Sequence, residues 1–336
     1  MPAQDLLQDT PVISGVNDDA IRAIDFGLTP MTEALIEGAQ KVAASIDISI
    51  RSRSAAAAMA QNIERIRELG LNEVLADVDD GTEPTLTFHV AERLAYANTA
   101  AAWQGLSNTA LVKLKTAPET TAIAFGKYRK PGESSEWVRW IPVCEKTKPT
   151  QVLLIDARAA TSTVVSLDDT RLGAARSDML GFPFGAIEKY NFDCTYGDKL
   201  SSTALNTAVS ISAALVAGLI SGSTRRLLFE ALEYSKIRHS GGKPIFQHQA
   251  VALRLADIVI HQKSLELYLA GQVESCEVQG AQGGPQHIHA GYVGDSAFKI
   301  SRDAVQIAAG HGYVEGLPFR RLFEQIRALV SALSLL

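Results

Sequence analysis

The sequence predicts an α+β protein that runs from helices through a small antiparallel sheet to helices again. Three observations carry this. Apolar residues recur at helical spacing in two runs between about Asp18 and Leu114. Short β-type runs separated by turn clusters occupy 116–200. Long charge-poor helical stretches divided by Gly and Pro fill 201–336. Strands do not alternate with helices, which argues against a βαβ fold. Three regions are therefore expected: an N-terminal helical domain over 1–115, a central β domain over 116–200 and a C-terminal helical bundle over 201–336.

Taken in order, residues 1–15 read as a loose arm. Helical periodicity then runs from about Asp18 to Leu75, with Ile63, Ile66, Leu69 and Leu71 on one face. Asp77, Asp79, Asp80, Gly81 and Pro84 break it, and a second run extends from His89 to about Leu114. Strands are expected at Thr121–Phe125, Trp137–Val143, Gln151–Ile155 and Ser162–Leu167, with turns at Lys130-Pro131-Gly132 and Asp168-Asp169. Helices are expected at Ser201–Ser240 and Gln247–Ala270, divided by Gly241-Gly242-Lys243-Pro244. After a break at Gly283-Gly284-Pro285, helices follow at Asp295–Ala309 and Pro318–Leu335. The stretch Leu200–Thr224 has no charge, yet Ser201, Ser202, Asn206, Thr207, Ser210, Ser212 and Ser221 make it too polar for lipid. A buried bundle helix is expected there.

Composition narrows the function classes. The chain has 336 residues, 46% hydrophobic and 21% charged, which excludes intrinsic disorder. A net charge of −5 argues against non-specific binding to nucleic acid or an anionic membrane. Three scattered cysteines, Cys144, Cys194 and Cys276, suit neither a disulfide framework nor a zinc site, and a reducing cytoplasm is expected. The N-terminal residues lack the order of a signal peptide.

No GxSxG, P-loop, HExxH or strand-linked GxGxxG is present. His287-Ile288-His289 lacks a third ligand and is expected to be an exposed loop, so no metal is expected. Two longer segments carry more. The first runs from Leu232 to Gln249 and the second from Asp303 to Arg321. In each, an Arg or Gln lies beside a glycine break. Free backbone N–H groups and a guanidinium there suit a phosphate; equally, Arg238 and Gln306 suit the capping of carbonyls.

These segments resemble two blocks of the acyl-CoA dehydrogenase superfamily. The first block is Y-A-x-x-R-x-x-F-G-x-x-I-x-x-x-Q, and the second is D-A-x-Q-x-x-G-G-x-G-Y-x-x-x-x-P. Looser matches are Glu68-Leu69-Gly70-Leu71, Glu92–Ala97, Trp140-Ile141-Pro142, Met179–Phe182 and Phe192-Asp193. The resemblance implies an N-terminal helical domain, a central antiparallel β domain, a C-terminal four-helix bundle, and FAD held between domains and subunits. Arg238, Ser240, His248, Gln249, Gln306 and Gly310 fall on flavin-contacting positions, and Trp140 falls where an indole packs on the flavin. The implied partners are an acyl-CoA or acyl-carrier-protein thioester and either further copies of the chain or a paralogous subunit.

The departures bear on chemistry. Leu333 and Ser212 stand at the two positions where the superfamily places its glutamate base, and Ala213 stands where an arginine is usual. Gly126–Glu133 replaces the T-E-x-x-x-G-S-D loop, Pro142 the W-I-T threonine and Gly241 the flavin-packing Phe. No catalytic residue is assigned. A subunit that helps form a FAD site without classical dehydrogenation is expected. The alternatives are a repurposed homo-oligomer, with Glu315 as its acid/base, a flavin monooxygenase, or a flavin-free binding protein.

Overall fold

A computed structural model of the chain describes residues 30–46, 55–70, 74, 83–115, 121–125, 138–141, 150–157, 160–166, 186–187, 200–278, 288–314 and 317–336. Helices α1 (Pro30–Ser45), α2 (Ala55–Arg67), α3 (Glu83–Leu106) and α4 (Thr109–Lys113) come first. Strands β1 (Thr121–Phe125), β2 (Val138–Ile141), β3 (Gln151–Asp156), β4 (Thr161–Ser166) and β5 (Ala186–Ile187) follow. The long helices α5 (Ser202–Ile237), α6 (Gln249–Val278), α7 (Ala290–Ala308) and α8 (Pro318–Leu333) form the C-terminal bundle. Between α5 and α6 lies a small hairpin, β6 (His239–Ser240) with β7 (Lys243–Pro244). Met179–Phe182 and Phe192-Asp193, the turns at 130–132 and 168–169, and the arm at 1–15 lie outside the described residues.

The five-stranded sheet has the order β4-β3-β1-β2-β5. The expectation of an antiparallel sheet holds for all but one pair: β1 and β3 run parallel, with Ile123 opposite Leu153. The reason is local. β2 runs antiparallel to β1 and returns the chain to the end of the sheet where β1 began, with Ile141 opposite Ile123. From there β3 starts on the far side of β1 in the same direction, so the parallel pair needs no crossover helix.

α5 is the central element. Its 36 residues open on an N-cap, Ser201 Oγ accepting from the Ala204 N–H at 3.2 Å. From Ile211 to Leu228 every residue is buried, which bears out the expected core helix. It is long and apolar enough to cross a membrane, but most of it lies inside the protein. It packs on α3, α6, α7 and α8.

Two glycines let α5 meet α3 backbone to backbone. A Cβ on Gly218 would lie 2.3 Å from the Phe88 carbonyl oxygen, and one on Gly222 2.2 Å from that of Glu92. Ala91 and Ala95 supply the small facing side chains. Two side-chain bonds cross this seam. Ser221 Oγ donates to Glu92 Oε1 at 2.7 Å, and the Thr99 and Ser223 hydroxyls bond at 2.8 Å. Asn98 interrupts α3 with extended backbone (φ −156°), and its Oδ1 accepts from the Ala101 N–H at 3.1 Å, restarting the helix as an internal cap. Around Glu92 the seam is charged. Burial pushes the Glu92 carboxyl up, but Arg225, Arg93, the Ser221 hydroxyl and His89 together outweigh it and hold the carboxyl below its usual range. Burial pushes the His89 imidazole down to about 4, against the pull of Glu92.

Two expectations follow from this seam. Gly222→Ala forces the helices apart and should destabilise the protein by roughly 3 kcal/mol, as overpacking against backbone does; an unchanged melting temperature would refute the close approach. The second concerns pH. Unfolded chains take up the His89 proton near pH 6.5, the folded chain only near 4. Between those values the unfolded state binds more protons, so stability should fall as pH drops through the window, by roughly 3 kcal/mol for His89 alone. The lowered Glu92 carboxyl acts in the same direction at the acid end. Urea titrations at pH 7 and pH 5, repeated on His89→Gln, measure this; equal pH slopes in both chains would refute it.

Candidate functional site

The residues singled out in the sequence gather at the C-terminal end of α5. Arg238 caps that helix, its N–H donating to the Tyr234 carbonyl at 2.9 Å. The helix ends at Ile237 rather than running to Ser240. Gly241 (φ 59°) and Gly242 (φ 81°) form a two-residue turn with positive φ at both positions, flanked by the pair Ser240 and Lys243. Such a turn closes a tight hairpin and is glycine's province. The Ile245 N–H then donates to the Arg238 carbonyl at 2.8 Å. His248, expected to touch flavin, spends its Nε2 on the Ser240 carbonyl at 3.0 Å and clamps the hairpin. Gln249 begins α6 and is exposed, as is Ser240.

The second group lies where α7 ends. Gln306 and Gly310 are exposed, and a Cβ on Gly310 would meet nothing within 4 Å. Gly312 is different, because a Cβ there would lie 2.6 Å from the Val305 carbonyl oxygen. The turn therefore folds tightly on α7 beneath while its Gly310 backbone stays open above. Asp303 of the same block is structural: buried, it accepts from Arg254 at 2.7 Å and ties α7 to α6.

A bond that the sequence reasoning missed joins the two groups. Tyr234 Oη lies 2.6 Å from His311 Nδ1. The Tyr234 ring also meets the rings of His311 and Phe319 edge-on. The available signal was that Tyr234 stands four residues before Arg238, on the same helix face. Burial pushes the Tyr234 hydroxyl above its usual pKa while the Arg238 guanidinium pulls it down, so it stays protonated. The side chains of Arg238 and Gln306 make no hydrogen bond or ion pair among the described residues. They are not capping carbonyls.

Trp140 stands apart from this cluster, in β2 opposite Ala124. Gly126–Glu133, Pro142, Glu315, Cys144 and Cys194 lie outside the described residues. Both expected base positions are packed into the core: Ser212 is 1% exposed and Leu333 4%. His289 is a helix cap, its Nδ1 accepting from the Tyr292 N–H at 3.0 Å. Among the described residues no cluster suits a metal.

The C-terminal domain of acyl-CoA dehydrogenases matches residues 203–331. The full fold of butyryl-CoA dehydrogenase from Megasphaera elsdenii superposes with a TM-score of 0.64 at 15% identity, covering 91% of this chain and 95% of that one. Residues 203–331 thus carry the likeness to the acyl-CoA dehydrogenase C-terminal domain, and the chain as a whole shares the fold. PigA, solved as a complex with FAD, has a TM-score of 0.66 at 13% identity, covering 92% of this chain and 98% of that one. The 3-(aryl)acrylate reductase of Clostridium sporogenes is 29% identical over 160 residues, 45% of this chain and 41% of the reductase. The chain thus aligns with less than half the length of that curated relative.

Besides Gly241, a second position of the site departs from the superfamily blocks. Ala309 stands where the block has its first Gly, and it holds φ 51° and ψ −131°, a conformation that costs an L-residue about 1–3 kcal/mol. Ala309→Gly should therefore stabilise the protein by about 1 kcal/mol after the entropy that glycine adds to the unfolded chain. Thermal melts of the two chains compare them; a destabilised variant would show that the turn relaxes differently.

Proposed function

We propose that this chain is a flavoprotein component that holds the ADP half of FAD at the Arg238–Gly310 cluster and does not itself abstract an α-proton. The supporting observation is the pairing of an exposed guanidinium without a carboxylate and an exposed Gln306 with the open backbone of Gly310. A guanidinium and backbone N–H groups suit a diphosphate. Arg238 and the Gly310 N–H would hold it, with Ser240, Gln306 and Gln249 at its margin. Bound FAD would supply hydride acceptance. An acyl-CoA or acyl-carrier-protein thioester is the substrate class that the superfamily suggests. Trp140 would pack on the flavin, and His248 would act by shaping the hairpin.

The buried Ser212 and Leu333 explain the missing step. Leucine takes no proton, and the Ser212 hydroxyl is buried with no hydrogen-bond partner among the described residues, none of which activates it as a base. General base catalysis is worth roughly 10²–10⁴-fold, a deficit that a second, base-bearing subunit would make good. The proposed setting is the cytoplasm, in an oligomer with such a subunit or with further copies of this chain.

The test is a FAD titration followed by an electron-acceptor assay with a panel of acyl-CoAs. Arg238→Ala and Gln306→Ala should each weaken FAD binding about 10- to 100-fold, as loss of a hydrogen bond to a charged group does. The chain alone should not oxidise acyl-CoA. Turnover on the order of 10 per second would reveal a base elsewhere and refute the proposal.

A further inference from the structure

Tyr234 fills the leading tyrosine of the first superfamily block, and His311 adds to it something that the second block leaves variable. His311 fills the variable position between Gly310 and Gly312, and Tyr234 sits one helical turn before Arg238. Their separation of 2.6 Å is shorter than N–H donors ordinarily reach and falls within the range of O–H donors. That separation suits a tyrosine hydroxyl donating to a bare Nδ1. A neutral imidazole whose Nδ1 accepts carries its proton on Nε2. That Nε2–H has no protein partner among the described residues. The glycine beside it is open, and the unpaired Arg238 guanidinium acts on Tyr234 electrostatically from the neighbouring turn. Guanidinium, imidazole N–H and glycine backbone form a cluster of donors at which the described residues place no carboxylate.

We propose that the Tyr234–His311 couple is part of the nucleotide site: Tyr234 fixes the imidazole with its proton on Nε2, and His311 donates that N–H to an oxygen of an ADP moiety held beside Arg238. This rests on the dinucleotide site proposed above and names the residue that supplements it. His311 is the binding residue; Tyr234 is a positioning residue that acts through it.

The experiment uses the full chain with ¹⁵N-labelled histidine, and long-range ¹H–¹⁵N spectra assigned with His311→Asn. In the free chain the His311 ring should show a protonated Nε2 and a bare Nδ1. Saturating ADP should shift the Nε2–H signal, and FAD should shift it in the same sense. FMN, which lacks the AMP half, should leave it unmoved. Tyr234→Phe should populate both tautomers and weaken ADP binding several-fold. His311→Asn should weaken ADP about tenfold, the loss of one hydrogen bond to a charged or polar oxygen. A proton on Nδ1 in the wild-type chain, or an unmoved His311 ring at saturating ADP, overturns the couple while leaving the dinucleotide site intact. Failure of wild-type chain to bind either ADP or FAD overturns both. The wild-type spectra decide the matter even where a variant folds poorly.

Discussion

The structure depends on the contact of α5 with α3 at Gly218 and Gly222. Where two helices touch through backbone atoms, no side chain remains to absorb an error in spacing, so the crossing is set within tenths of an ångström. Ser221 then donates to the buried Glu92 carboxylate, and Arg225 supplies the opposite charge that the close approach would otherwise leave it without. α5 is a single rigid rod from this crossing to Arg238, about 24 Å further at 1.5 Å per residue. Its far end therefore delivers the hairpin and Tyr234 to the turn after α7. The Arg238–Gly310 cluster inherits its geometry from a seam that it never touches.

Much of this was legible in the sequence, and the reasons are physical. A run from Leu200 to Thr224 without a charge has nowhere to go but a core. The amphipathic pattern of α8, burying Phe319, Leu322, Ile326, Leu329 and Leu333, is visible as 3.6-residue spacing. The break at Gly241-Gly242 was evident, but its form was not: a helix cap and a primed hairpin turn both call for glycine. The Asn98 break in α3 was hidden because an asparagine inside a helical run carries no period of its own. The parallel β1–β3 pair was hidden because strand direction depends on which side of β1 the chain returns to.

The site was legible in part for a similar reason. Arg238, Gln306 and Gly310 announced themselves through spacing against glycine breaks. Capping could be set aside only in the fold, where the two side chains leave the neighbouring carbonyls alone. His248 illustrates the reverse. A flavin contact was expected of it, yet its Nε2 serves the hairpin's own backbone. The Tyr234–His311 bond spans 77 residues, a distance over which sequence periodicity carries no information.

The burial of Ser212 and Leu333 has a consequence for what can be placed there. Each position now contributes to the core, and a carboxylate placed there would be taken out of water with no cation supplied to meet it. An unpaired buried charge costs several kcal/mol, a large share of the roughly 5–15 kcal/mol that keeps a domain folded. A base introduced at either position would require its surroundings to change first. The exposed Arg238–Gly310 cluster carries no such penalty, so substitutions there cost little stability. Folding thus constrains the two buried positions tightly and leaves the exposed cluster free to vary.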